Sequence, residues 1–254
     1  LYACYKQLLD RARIEIFITA NNRDTAIAKM KTAFSYERKA DAEILPIIVE
    51  PCLSRPEEFT EHMDTVQGKI CLLYTTQRQL TEEERYHMLV AGALFGGTAS
   101  SRLFKNVREK QSLCYYCASD FVSSKGLMFV SCGIDADKKE LTQQEIFRQL
   151  TLLQETLVEP AELRIAKDMA MKDLKDLPDY PSAIVSFRLA REVYGLHDTV
   201  ENLMKKIETV SAEDVKAMAN KIRPDTIFFL HGQGIPKDCD AAEESADAFD
   251  GDFA

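Results

Sequence analysis

Residues 96–121 read Gly-Gly-Thr-Ala-Ser-Ser-Arg-Leu-Phe-Lys-Asn-Val-Arg-Glu-Lys-Gln-Ser-Leu-Cys-Tyr-Tyr-Cys-Ala-Ser-Asp-Phe and change character twice in one short stretch. A glycine pair interrupts the chain after an apolar run, a basic amphipathic segment follows, and the last third carries the β-branched and aromatic residues of a strand. The order helix, turn, helix, strand predicts a fold that mixes helices and sheet in one layer system.

The flanks extend that pattern. Leu1, Tyr2, Tyr5, Leu8 and Leu9 recur at helical spacing, and Ile14, Ile16 and Ile18 then alternate as a strand would over Arg13 to Thr19. Asp24 caps an expected helix to about Phe34, and a short strand is expected near Ile44–Val49. Pro51 and Pro56, among charged residues and Ser54, mark residues 51–63 as a linker. Beyond it lie a strand at 67–74, then a helix opened by the Thr81/Glu84 capping box and closed by Gly96-Gly97. The spacing next predicts a helix over 100–110 and strands over 114–121 and Leu127–Ile134, joined at Ser123–Gly126. Thr142 with Glu145 marks a further helix start, Pro160 another, and two helical stretches follow Pro181. Ser211 with Asp214 caps the last helix before a strand at Thr226–His231. The fold class read from this order is α+β. Residues 1–50 are expected to be the end of a preceding α+β repeat, residues 64–236 one full domain, and residues 237–254 a disordered acidic tail. The chain opens at Leu1 inside an apparent helix, so a fragment of a longer protein is expected.

Charge narrows the function classes. The formal net charge is -9, but from Lys237 to Ala254 seven acidic residues face one lysine, which leaves the body near neutral. No basic excess points to nucleic acid, and nothing points to an anionic membrane surface. No run of about 18 apolar residues occurs. Seven cysteines without regular spacing favour a reducing compartment, so the expected location is cytoplasmic.

The run Ser101-Arg102-Leu103-Phe104, then Arg108-Glu109-Lys110, then Leu113-Cys114-Tyr115 resembles the substrate-side signature of the insulinase (pitrilysin) family of zinc metallopeptidases. Glu84 to Gly97 resembles the helix before that family's turn, and Val210 to Val215 its final capped helix. The resemblance implies a mostly antiparallel sheet with helices packed on one face. It also implies a substrate-binding pair at Arg108 and Tyr115, which in the family reach from a non-catalytic half into the zinc site of the other half. Gly96 and Gly97 resemble the glycine-rich loop with which substrate-recognition subunits of the mitochondrial processing peptidase contact a presequence. Cys114 stands where the family has Gly. Each feature also has a bland reading: a solvated helix Arg paired with a nearby Glu, a core Tyr, and a helix C-cap for the two glycines.

The family's zinc helix, His-x-x-Glu-His, is absent. The four histidines are His62, His87, His197 and His231, no two within five positions, and His87 reads as a helix-face or core residue. No metal site and no cofactor are expected in this chain, with zinc confined to a partner half. Cys114-x-x-Cys117 has a redox-like spacing, but in a strand residues i and i+3 point to opposite faces, so no bridge or redox role is expected. Ser100 and Ser101 lack a readable triad. The sequence therefore predicts a peptide-binding, non-catalytic half of an insulinase-type metallopeptidase, with a peptide and a zinc-bearing half as partners. The alternative is a catalytically dead subunit or an interaction domain with no substrate contact. No catalysis is expected from the chain alone, whether its parent is a working endopeptidase or an inactive partner.

Overall fold

The computed structural model describes residues 1–42, 48–49, 55–122 and 124–232. The short strand expected near Ile44–Val49 and the tail at 237–254 lie largely or wholly outside the described residues.

Five strands form one sheet in the order β1-β5-β2-β4-β3. They are β1 (Glu57–His62), β2 (Gly68–Thr75), β3 (Tyr116–Val122), β4 (Leu127–Ile134) and β5 (Arg223–His231). Only β1 and β5 run parallel; β2–β5, β2–β4 and β3–β4 are antiparallel. The mostly antiparallel α+β architecture is the one expected.

The two faces of the sheet differ. Ile70, Leu72 and Tyr74 of β2, Met128, Val130 and Cys132 of β4, and Ile227 and Phe229 of β5 are buried, whereas Phe129 and Phe228 on the other face are exposed. Period-2 alternation in β2 and β4 sends one residue in two under the helices. Each fully buried aliphatic side chain contributes about 1.5–3 kcal/mol, so this face dominates the stability of the sheet.

The helices are α1 (Tyr2–Arg11), α2 (Arg23–Ala33), α3 (Glu82–Gly92), α4 (Lys139–Glu155), α5 (Pro160–Asp176), α6 (Pro181–Tyr194), α7 (Val200–Thr209) and α8 (Ala212–Ala219). Two of the three capping pairs read from the sequence form where expected. Thr81 Oγ1 accepts from Glu84 N at 3.3 Å while Glu84 Oε2 accepts from Thr81 N at 2.9 Å. Ser211 and Asp214 make the same reciprocal pair at the start of α8. Glu84 also ties three elements together, because Arg78 and Lys221 both close on its carboxylate.

Several local expectations need correction. Residues 57–62, read as linker, form β1: the alternating charges of Glu57, Glu58 and Glu61 hide a strand that is exposed along its length and lies at the sheet edge, where charged side chains are normal. Arg13 to Thr19 is no strand, since nothing in the sheet pairs with it and alternation alone does not satisfy backbone donors. The helix assigned to a Thr142/Glu145 cap begins three residues earlier. A 3-10 turn at Ala136–Lys138 feeds α4 directly, so both residues are buried inside it. Gly96 and Gly97 do not form a left-handed cap, because α3 runs on into a π-helical turn over Ala93–Gly97 and neither glycine has positive φ. The β3–β4 turn does use that freedom: Gly126 sits at φ +63°, where a Cβ would lie 2.4 Å from the Arg78 carbonyl oxygen.

Candidate functional site

The helix of residues 100–110 forms with a π-helical body, Phe104–Lys110. Ser101, almost fully buried, starts it by accepting from Phe104 N at 3.3 Å. Arg102 anchors it to α5 through a two-pronged pair with Glu162, both contacts at 2.9 Å. Leu103 and Val107 are fully buried, which leaves Arg108 on the outer side with its guanidinium 4.7 Å from the centre of the Phe104 ring.

The segment ends when Ser112 adopts φ +51° and its N–H donates to the Arg108 carbonyl at 3.1 Å. The chain then turns back to β3. Tyr115 N–H donates to Gly133 O at 2.8 Å, yet Tyr116 is also opposite Gly133 in the register of β3 and β4. That bond is one residue out of the β3–β4 register, so Tyr115 belongs to the bend that leads into β3 and not to the strand itself. Tyr115 and Tyr116 are therefore both exposed, while Leu113 and Cys117 are buried and Cys114 half-buried.

Arg108 and Tyr115 consequently line one hollow of about 340 Å³, with Ser112, Leu113, Cys114, Asp135 and Lys138. The Tyr115 hydroxyl donates to Asp135 Oδ1 at 2.6 Å, and Lys138 Nζ lies 3.0 Å from Asp135 Oδ2 and 3.3 Å from the Ser112 carbonyl. The Tyr115 bond and the Lys138 charge lower the Asp135 pKa, and donating that bond raises the Tyr115 pKa. The hollow thus presents a guanidinium, an ammonium and a phenol, all donors to carbonyl or carboxylate oxygens.

The other two site residues do not join it. Gly96 is buried, and a Cβ there would lie 2.6 Å from Ser119 Oγ and 2.8 Å from Leu103 Cδ1, so packing alone calls for glycine. Gly97 lines a separate, larger cavity of about 510 Å³ between α3, β3, α5 and α6, which includes Met88, Met128 and Phe187. Sequence reading missed this cavity because its walls come from several elements far apart in the chain. At its rim Lys206 Nζ joins Glu82, Tyr86 and Asp198 at 2.6, 2.6 and 2.9 Å.

Two further relationships reverse sequence-spacing arguments. β3 begins only at Tyr116, so Cys114 lies outside the strand, the alternation that would set it on the face opposite Cys117 does not apply, and it packs against the core that holds Cys117 and Cys132. His62 and His231, far apart in sequence, are cross-strand partners with ring centroids 4.8 Å apart. Among the described residues no three His, Cys, Asp or Glu side chains are grouped where they could hold a metal ion. His87 lies on α3, half-buried, with Nε2 3.9 Å from Asp214 Oδ2. No helix among the described residues is long and apolar enough to cross a membrane.

Known proteins resemble this chain in sequence and in fold. Among relatives, the probable inactive metalloprotease YmfF of Bacillus subtilis is 26% identical over 235 residues, covering 91% of this chain and 54% of that protein. The uncharacterized zinc protease YmxG of the same organism is 25% identical, covering 83% and 51%. The chain spans about half the length of these relatives. Among solved structures, a conserved protein from Enterococcus faecalis superposes with a TM-score of 0.82 at 23% identity, covering 92% of this chain and 55% of that one. A peptidase M16 inactive domain from Pseudomonas fluorescens superposes with a TM-score of 0.65 at 18% identity, covering 86% and 53%. These structural likenesses show a shared fold. The family described as peptidase M16 inactive domain matches residues 1–170, well over half the chain, and this chain belongs to it.

Proposed function

We propose that this chain is the substrate-side, non-catalytic half of an M16-type metallopeptidase and that it holds peptide in the hollow lined by Arg108 and Tyr115. The observation that carries the reading is their convergence. Seven residues apart, on a π-helical segment and in the bend before β3, both are exposed on one hollow. In this reading the zinc and its bond-breaking chemistry belong to a partner half, and the chain alone does not cleave. Arg108 binds a peptide carbonyl or carboxylate, and Tyr115 turns from Asp135 to donate to the oxygen where charge develops. The odd, irregular cysteine set supports a cytoplasmic location.

A second reading has its own support. The Tyr115 phenol is already committed to Asp135, and one relative is named an inactive metalloprotease, which favours a scaffold that touches no substrate.

Fluorescence anisotropy with fluorescein-labelled tryptic peptides of casein separates the two. The peptide-binding reading expects saturable binding that Arg108→Ala weakens by about 10-fold or more, the scale of one lost charge-assisted hydrogen bond. Equal binding by wild type and Arg108→Ala, with both folded by circular dichroism, would favour the scaffold.

A further inference from the structure

Three thiols meet beneath the hollow. Cys117 of β3 and Cys132 of β4 are cross-strand partners with Sγ atoms 2.7 Å apart, and both are buried. Cys114, just ahead of β3, packs against the core that holds both, is only half-buried, and lines the hollow with Arg108 and Lys138. The arrangement is asymmetric: one thiol lines a hollow that also holds two cations, and two reserve thiols are sealed in the core behind it.

We propose that Cys114 is a peroxide-reactive thiol whose oxidised form is resolved as a disulfide by the buried Cys117/Cys132 pair. The Cys114 thiolate attacks one oxygen of hydrogen peroxide, the O–O bond breaks, and hydroxide leaves. Sulfur is oxidised by two electrons to the sulfenic acid and the peroxide is reduced. A thiol of the buried pair then attacks the Cys114 sulfur. The S–S bond forms, the S–O bond breaks, and the hydroxyl leaves as water with the attacking thiol's proton.

The electrostatics agree with this division of roles. Hydrogen bonds from Cys117 and then Cys132, with the charges of Arg108 and Lys138, hold the Cys114 pKa below its ordinary value. The same bonds to Cys114 raise the pKa of Cys117 and of Cys132, so neither competes with Cys114 for the peroxide, and the thiol of the pair that attacks passes its proton to the departing hydroxyl as the S–S bond forms. Thiolate character and exposure select the cysteine that oxidises, and both point to Cys114.

Peptide mapping tests the proposal. The intact chain, dilute and at pH 7, is treated with hydrogen peroxide, quenched with an alkylating agent and digested with trypsin without reductant. Residues 111–125 form one tryptic peptide containing Cys114 and Cys117, and residues 126–138 another containing Cys132. The expected result is a disulfide among the three, seen as loss of two hydrogens within the first peptide or as a cross-link between the two. In Cys114→Ser it should form at least about 10-fold more slowly. Dimedone added with the peroxide should tag Cys114 in the wild-type chain, a readout independent of whether the variant folds. A Cys117–Cys132 disulfide forming equally fast in folded Cys114→Ser, or Cys114 passing to sulfinic acid with no disulfide and no dimedone tag, would overturn the proposal.

Discussion

The Tyr115 hydroxyl is held 2.6 Å from Asp135 Oδ1, so the residue best placed to donate to a substrate spends its proton on a neighbouring carboxylate. Peptide engagement requires that bond to exchange. The Asp135 bond is also the leading cause that raises the Tyr115 pKa, with the Asp135 charge adding to it. Asp135→Asn should therefore lower the Tyr115 pKa. NMR of ring-labelled tyrosine across alkaline pH reads this directly, and an unchanged Tyr115 titration in the variant would mean that the bond is not formed in solution.

Glu145 should contribute to acid sensitivity, alongside the ion-paired Glu84. Its carboxylate accepts from Arg148 Nε and Nη2 at 2.7 Å each and from Gln149 Nε2 at 2.7 Å, and these bonds, Arg148 first, hold its pKa down to about 2 against an ordinary 4.5. The unfolded chain binds that proton more readily, so the stabilisation is complete above about pH 4.5 and is lost as pH falls through about 2. Glu145→Gln should cost about 1–3 kcal/mol at pH 7, the scale of a hydrogen bond to a charged group. Urea titrations at several pH values should show the difference between variant and wild type shrinking below pH 4.5; a constant difference down to pH 2 would contradict this account.

Gly126→Ala should destabilise the β3–β4 hairpin. The φ of +63° is unfavourable for alanine, and the new Cβ would lie 2.2 Å from Thr76 Oγ1 and 2.4 Å from Arg78 O. A loss of about 1–3 kcal/mol is expected in urea unfolding, with little change in the m-value. A neutral substitution would show that the turn relaxes to negative φ without cost.

The sheet and its helices were legible in the sequence wherever one face is buried, because burial imposes a period. Leu127–Ile134 reads as a strand since Met128, Val130, Cys132 and Ile134 must all point into the core. Where burial is absent the signal fails: β1 is exposed at all six positions, and its glutamates resemble a loop. The site was legible in part. The resemblance put forward Arg108 and Tyr115, which line one hollow, but a strand drawn straight through 114–121 placed Cys114 and Cys117 on opposite faces. β3 starts at Tyr116, after a bend at Tyr115, and local propensity does not encode where the pairing with β4 begins. Asp135 and Cys132 reach the site only through the pairing of β3 with β4, a non-local contact invisible to local pattern.

The central claim is that Arg108 and Tyr115 contribute to peptide cleavage performed by a zinc-bearing half. Turnover of a fluorogenic peptide, measured with this chain reconstituted or fused with that half, tests it most directly. The chain alone should show no cleavage, its addition should raise turnover, and Tyr115→Phe or Arg108→Ala should reduce the gain by roughly 10- to 1,000-fold, the scale of one lost oxyanion-type donor. Full turnover with both folded variants would contradict the account and leave the hollow without a part in the reaction.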